Sequence, residues 1–107
     1  MVRMFLIILL LAFATQVNAD HPTKAKIKVK GNCGMCKKNI ERAALSAGAD
    51  KAVWNAGKKT VIVKFDSDKT TPEKIESAIA DAGYDTANKT ANEEAYRKLP
   101  RCCKYRD

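Results

Sequence analysis

The chain holds four cysteines in two close pairs, Cys33-Gly34-Met35-Cys36 and Cys102-Cys103. Two residues between Cys33 and Cys36 let both sulfurs converge on one point, and Gly34 helps the loop turn. As thiolates, such a pair binds a soft ion of low coordination number, Cu(I) foremost. Zn(II) in a structural site takes four ligands, which this pair alone does not supply. The same pair also suits disulfide exchange, because thiolate stabilisation drives that chemistry too. An even cysteine count in an oxidising compartment adds a third reading, a binding module stapled by disulfides. Cys102 and Cys103 either bring further soft ligands or pin the tail through a disulfide; a bond between the two neighbours themselves is strained. The Met35 thioether is a weak soft donor inside the loop, of a residue type used more often for packing.

Periodicity along the chain marks the elements that must hold these residues. Lys24-Ala25-Lys26-Ile27-Lys28-Val29-Lys30 alternates without a break, which predicts a strand with Ala25, Ile27 and Val29 inward and four lysines outward. Ile40, Ala43, Ala44 and Ala47 fall on one helical face, so a helix is expected from Met35 or Cys36 to Gly48. The motif then lies on a loop entering a helix N-terminus. That end favours negative charge and lowers a thiol pKa, and Lys37 and Lys38 add positive charge. Ala52-Val53-Trp54 and Thr60-Val61-Ile62-Val63-Lys64-Phe65 read as a hairpin, with Gly57 as the flexible point of its turn. Thr71, Pro72 and Glu73 form a helix start; Ile75, Ala78, Ile79 and Ala82 form its apolar face, and Gly83 stops it. Residues 84–87 are expected as a last short strand. The order β-α-β-β-α-β over 24–88 predicts an α+β, ferredoxin-like fold, with two helices on one face of a four-stranded antiparallel sheet.

The ends and the charge set the setting. Arg3, the apolar run Phe5 to Ala14 and Val17-Asn18-Ala19 read as a signal peptide, residues 1–19, cut after Ala19. The run is shorter than the roughly 20 residues of a membrane span, so the mature chain is expected to have no stable membrane insertion. The domain then occupies 20–88 and a cysteine-containing tail 89–107. Export to a periplasm is expected, with secretion as the alternative. The formal charge is +8, of which Arg3 contributes one. Export argues against nucleic acid as a partner, which leaves an acidic protein face or membrane surface. Lys24, Lys26, Lys28 and Lys30 are a solvated strand face that would also steer docking to an acidic partner. His21, beside the cut, is assigned no role.

Cys33-Gly34-Met35-Cys36-Lys37-Lys38-Asn39-Ile40-Glu41 resembles the Cys-x-x-Cys-x-x-x-Ile-Glu signature of heavy-metal-associated domains. Phe65-Asp66, Pro72-Glu73-Lys74-Ile75, Ala78-Ile79 and Ala82-Gly83-Tyr84-Asp85 resemble the second half of bacterial copper chaperones, and the likeness extends to periplasmic mercury-binding proteins. The resemblance implies metal ligation by Cys33 and Cys36 and places Tyr84 near the metal loop. It implies Cu(I) as the ion, with Hg(II), Zn(II) or Cd(II) as alternatives, and transfer by ligand exchange to a metal-transporting or metal-receiving protein. It implies a binding protein, not an enzyme; a Hg(II)-binding transport component is one form of it. One departure stands out: the family usually has Met two residues before the first cysteine, packed under the loop, and here that residue is Gly31.

Overall fold

Alternation does carry the first strand. β1 (Pro22–Lys28) buries Ile27 and exposes Lys24, Lys26 and Lys28. β2 (Lys51–Asn55) and β3 (Thr60–Asp66) form the hairpin, and the antiparallel sheet runs β1-β3-β2. The computed structural model describes residues 22–106. The expected signal peptide, 1–19, and His21 lie outside the described residues.

Two helices cover one face of the sheet. α1 (Gly34–Ser46) buries Cys36, Ile40, Ala43 and Ala44. α2 (Pro72–Asp81) starts as its sequence dictates: the Thr71 side chain accepts a hydrogen bond from the Lys74 N–H at 3.2 Å, and Pro72 occupies the first turn. It ends at Gly83, whose φ of 109° suits a residue without a side chain. Against these helices the sheet presents Ile27, Val29, Trp54, Val61, Val63 and Phe65, all buried in one cluster. Burial of that apolar surface is the main force holding the layers together. No helix among the described residues is long and apolar enough to cross a membrane.

Two expectations need correction. The fourth strand, 84–87, is reduced to one bridge between Val29 and Thr86, so the described sheet has three strands. Two backbone bonds flank the bridge, Lys30 N–H to Asp85 O at 2.9 Å and Ala87 N–H to Lys28 O at 3.1 Å. Pairing stops there because the chain turns: Thr86 N–H bonds to Lys89 O at 2.9 Å, and the buried Glu76 carboxylate holds Thr86 Oγ1 at 2.6 Å and Asn88 N–H at 3.0 Å. In the hairpin, the positive φ falls on Lys59, at 50°, and not on Gly57. The Asn55 carboxamide accepts the Lys58 N–H at 2.9 Å and closes the turn one residue earlier.

The polar tail is folded onto the domain. It forms a short helix, α3 (Glu93–Arg97), capped by the Asn92 side chain, and a 3₁₀ turn (Arg101–Cys103). Leu99 and Tyr105 pack against the core, and Cys103 is inside it.

Candidate metal centre

Cys33 is the residue that caps α1, with extended backbone angles (φ −134°, ψ 177°) and no side-chain hydrogen bond of the usual capping kind. Its sulfur therefore sits at the positive end of the helix, where the unpaired N–H groups of the first turn point. Cys36 lies within that first turn and is fully buried. The two sulfurs are 3.6 Å apart. This sharpens the expected loop position: one cysteine precedes the helix and the other belongs to it.

A third sulfur completes the cluster. Cys103 Sγ lies 3.6 Å from Cys33 Sγ, and the Cys33, Cys36 and Cys103 sulfurs all fall within 4.8 Å of one another. Cys102 stays exposed, outside that group, and all four cysteines are free thiols. Met35 is exposed as well and is not part of the cluster.

Two of the clustered thiols, Cys33 and Cys103, are shifted in opposite directions. The Cys33 thiol is drawn down to about 6, first by hydrogen bonding from the Cys102 thiol, then by the Cys36 backbone N–H, with smaller help from the Cys103 and Cys36 thiols. Burial and the neighbouring Cys36 and Cys33 push the Cys103 thiol well above the usual range. Cys33 is thus the ready thiolate, and Cys103 is a proton-holding neighbour until positive charge arrives. Burial also pushes the Tyr84 hydroxyl up; Cys103 and Cys36 add to that shift, while Asn39 opposes it.

The surrounding residues fix this geometry. Tyr84 is fully buried; its hydroxyl accepts from Asn39 Nδ2 at 3.0 Å, and its ring stacks on Tyr105 at 5.9 Å. The Tyr84 hydroxyl also lies beside the Cys103 thiol. Glu41 accepts the Trp54 backbone N–H at 2.9 Å and pairs with Lys37, which ties α1 to the edge strand β2. The Lys59 ammonium bonds to the Gly31 carbonyl just before the motif and lies over the Trp54 ring. The tail is clamped from several sides. Tyr105 OH donates to Gly83 O and accepts from Asp85 N–H, each at 2.7 Å. The Arg106 guanidinium holds Asp85 at 2.7 and 3.0 Å and Glu93 at 2.9 Å. Asn32 reaches across to Lys104 O at 3.2 Å. None of Lys59, Tyr105 or Arg106 was singled out from the sequence, because their roles depend on contacts between distant segments.

A thiol cluster at the head of a helix, set in a ferredoxin-like α+β fold, defines a heavy-metal-binding domain. The comparisons with known proteins agree. The heavy-metal-associated domain model matches residues 26–85, and the chain belongs to that family. Among solved structures it is similar to the CopZ metallochaperone, with 31% identity over 61% of this chain and 100% of that one, TM-score 0.58. It is similar to oxidised MerP from Ralstonia metallidurans CH34, with 28% identity over 62% and 94%, TM-score 0.58. It is also similar to a copper binding domain from HMA7, a P-type ATPase, with 29% identity over 59% and 88%, TM-score 0.56. No curated protein matches the sequence.

Proposed function

We propose that the chain is an exported metal-binding protein that holds a soft ion, Cu(I) foremost, between Cys33 and Cys36 and passes it to a partner. The observation that carries this is the 3.6 Å convergence of the two sulfurs at the N-terminus of α1, one of them already drawn toward the thiolate. The side chains grouped within reach of one ion are the thiols of Cys33, Cys36 and Cys103, and soft ions prefer sulfur donors. Hg(II) shares that chemistry and is the second candidate. Zn(II) and Cd(II) rank lower, because the three sulfurs grouped within reach of one ion do not by themselves complete a four-ligand shell.

Transfer would run by thiol exchange. An incoming partner thiol loses its proton and bonds to the ion; one protein thiolate leaves and takes up a proton. The ion is never free. Similarity to a metallochaperone and to a P-type ATPase domain supports a metal-receiving or metal-transporting acceptor. The sheet face opposite the helices supports an acidic docking partner. Register sets Lys24, Lys64 and Lys51 side by side across β1, β3 and β2, with Lys26 and Lys28 beside Ile62 and Thr60. Like charges abreast cost stability, so a surface that keeps them suits a complementary partner. The apolar leader and Val17-Asn18-Ala19 support export, which predicts a mature chain beginning at Asp20 in the periplasmic fraction.

The test is a chelator competition on the reduced chain lacking residues 1–19, with Cu(I), Hg(II) and Zn(II). One Cu(I) per chain should be retained by wild type and lost in Cys33→Ser/Cys36→Ser. Equal retention by the two proteins would overturn the proposal. Turnover in a metal-free disulfide-reduction assay would favour the oxidoreductase reading instead.

A further inference from the structure

The cysteine pair 102–103 lies beyond the family match at 26–85, yet the fold returns it to the motif. We propose that Cys103 is a built-in third ligand: with Cys33 and Cys36 it forms a trigonal three-sulfur site, and the tail is a self-ligating cover that a partner must displace to receive the ion. This rests on the reading that Cys33 and Cys36 bind the ion.

Geometry carries the inference. With two sides of 3.6 Å and the third at most 4.8 Å, the point equidistant from the three sulfurs lies about 2.4 Å from each at the widest spacing. Thiolates sit about 2.3 Å from a bound ion. The three sulfurs therefore need almost no rearrangement to meet one ion in their plane. Cys103 does not drift there on a loose end. It is fully buried, its N–H is bonded to Pro100 O at 2.8 Å, and the residues after it are fixed by the Tyr105 and Arg106 contacts to Gly83, Asp85 and Glu93. A rigid support of this kind is what holds a ligand set within bonding distance.

The neighbour is placed differently. Cys102 is exposed and outside the three-sulfur group; its thiol reaches Cys33 from the solvent side, where an arriving ion or an exchanging thiol comes first. The inward cysteine holds and the outward one does not. An open two-sulfur site leaves room for a partner thiol; here Cys103 already fills that third place. Release then requires a partner thiol to bond to the ion while Cys103 leaves and takes up a proton. The site is thereby tuned toward retention and against casual loss.

X-ray absorption on the Cu(I)-loaded, reduced chain lacking residues 1–19 tests this directly. Wild type should show three sulfurs around copper. Cys103→Ser should show two, hold Cu(I) about tenfold or more less tightly, and give it up faster to a chelator. Cys102→Ser should keep three sulfurs. Two sulfurs in wild type, which needs no variant to fold, would overturn the proposal and leave the Cys33/Cys36 reading standing. A drop to two in Cys102→Ser, with three kept in Cys103→Ser, would overturn the assignment to Cys103. Full wild-type affinity in Cys33→Ser/Cys36→Ser would instead sink the reading on which the proposal rests.

Discussion

Trp54 closes over Gly31. A Cβ placed on Gly31 would lie 3.0 Å from Trp54 Cζ2 and 3.2 Å from Ile40 Cδ1. Gly31 stands where the sequence resemblance led one to expect methionine, packed under the metal loop. In this chain the indole takes that space from the β2 side. Its ring is buried and its Nε1–H donates to Val29 O at 3.1 Å, so it cannot swing away cheaply. The loop is supported by a different residue, and the missing methionine leaves no hole.

The two residues should therefore be coupled. Gly31→Met should overpack the site and cost about 1–3 kcal/mol in denaturant unfolding. Adding Trp54→Leu should recover part of that loss, although Trp54→Leu alone destabilises by opening a cavity. Additive effects of the two changes would show that the indole does not occupy the methionine's space.

Cys33 should titrate well below an ordinary thiol. In reduced, metal-free protein its alkylation by iodoacetamide, read by mass spectrometry, should rise through a midpoint near 6. Because the shift is downward, the reactive thiolate is present above that pH and lost below it. Cys102→Ser removes the leading cause and should move the midpoint upward. A wild-type midpoint near the ordinary thiol value of about 8.5 would contradict this account.

The domain was legible in the sequence because its signals are local. Alternation along 24–30, the helical face Ile40, Ala43 and Ala44, and the Thr71-Pro72-Glu73 start each depend on neighbours in sequence. The Cys33 and Cys36 pair was legible for the same reason. The last strand was misjudged because Thr86 is held by Lys89 and the buried Glu76, a contest that no β-propensity reveals. The tail was least legible. Its docking depends on Tyr105 and Arg106 meeting Gly83 and Asp85 more than 20 residues away, and polar sequence alone reads as a solvated end. Cys103 could be named as a possible ligand but not placed.

The tail clamp should open in acid. The Arg106 guanidinium beside Asp85 holds its carboxyl below the usual carboxylate range, with the Ala91 N–H assisting against burial. A group depressed in the folded state contributes stability that is fully present above its unfolded value, about 4. That stability is lost as pH falls through the lower folded value. Protection of Cys103 from alkylation by a reagent active in acid should therefore hold at neutral pH and fall below about pH 4. Arg106→Ala should weaken docking by about 1–3 kcal/mol and lower the protection already at neutral pH. Unchanged protection in Arg106→Ala would mean that Tyr105 and the 3₁₀ turn hold the tail unaided.

The lysine face separates docking from folding. Lys24 opposes Lys64 directly, and Lys64 opposes Lys51, so three positive charges lie in one row on the open side of the sheet. Reversing Lys24, Lys26 and Lys28 to glutamate relieves that repulsion and should leave thermal stability equal or slightly raised. If an acidic partner docks here, the same change should slow Cu(I) transfer to it about tenfold or more at low salt, and transfer should no longer slow as salt is added. The sulfurs are untouched, so Cu(I) affinity against a chelator should stay at the wild-type level. Transfer rates and salt dependence that match wild type would remove the sheet face from the docking surface and leave the basic residues around the metal loop, Lys37, Lys38 and Lys59, as the surface to test next.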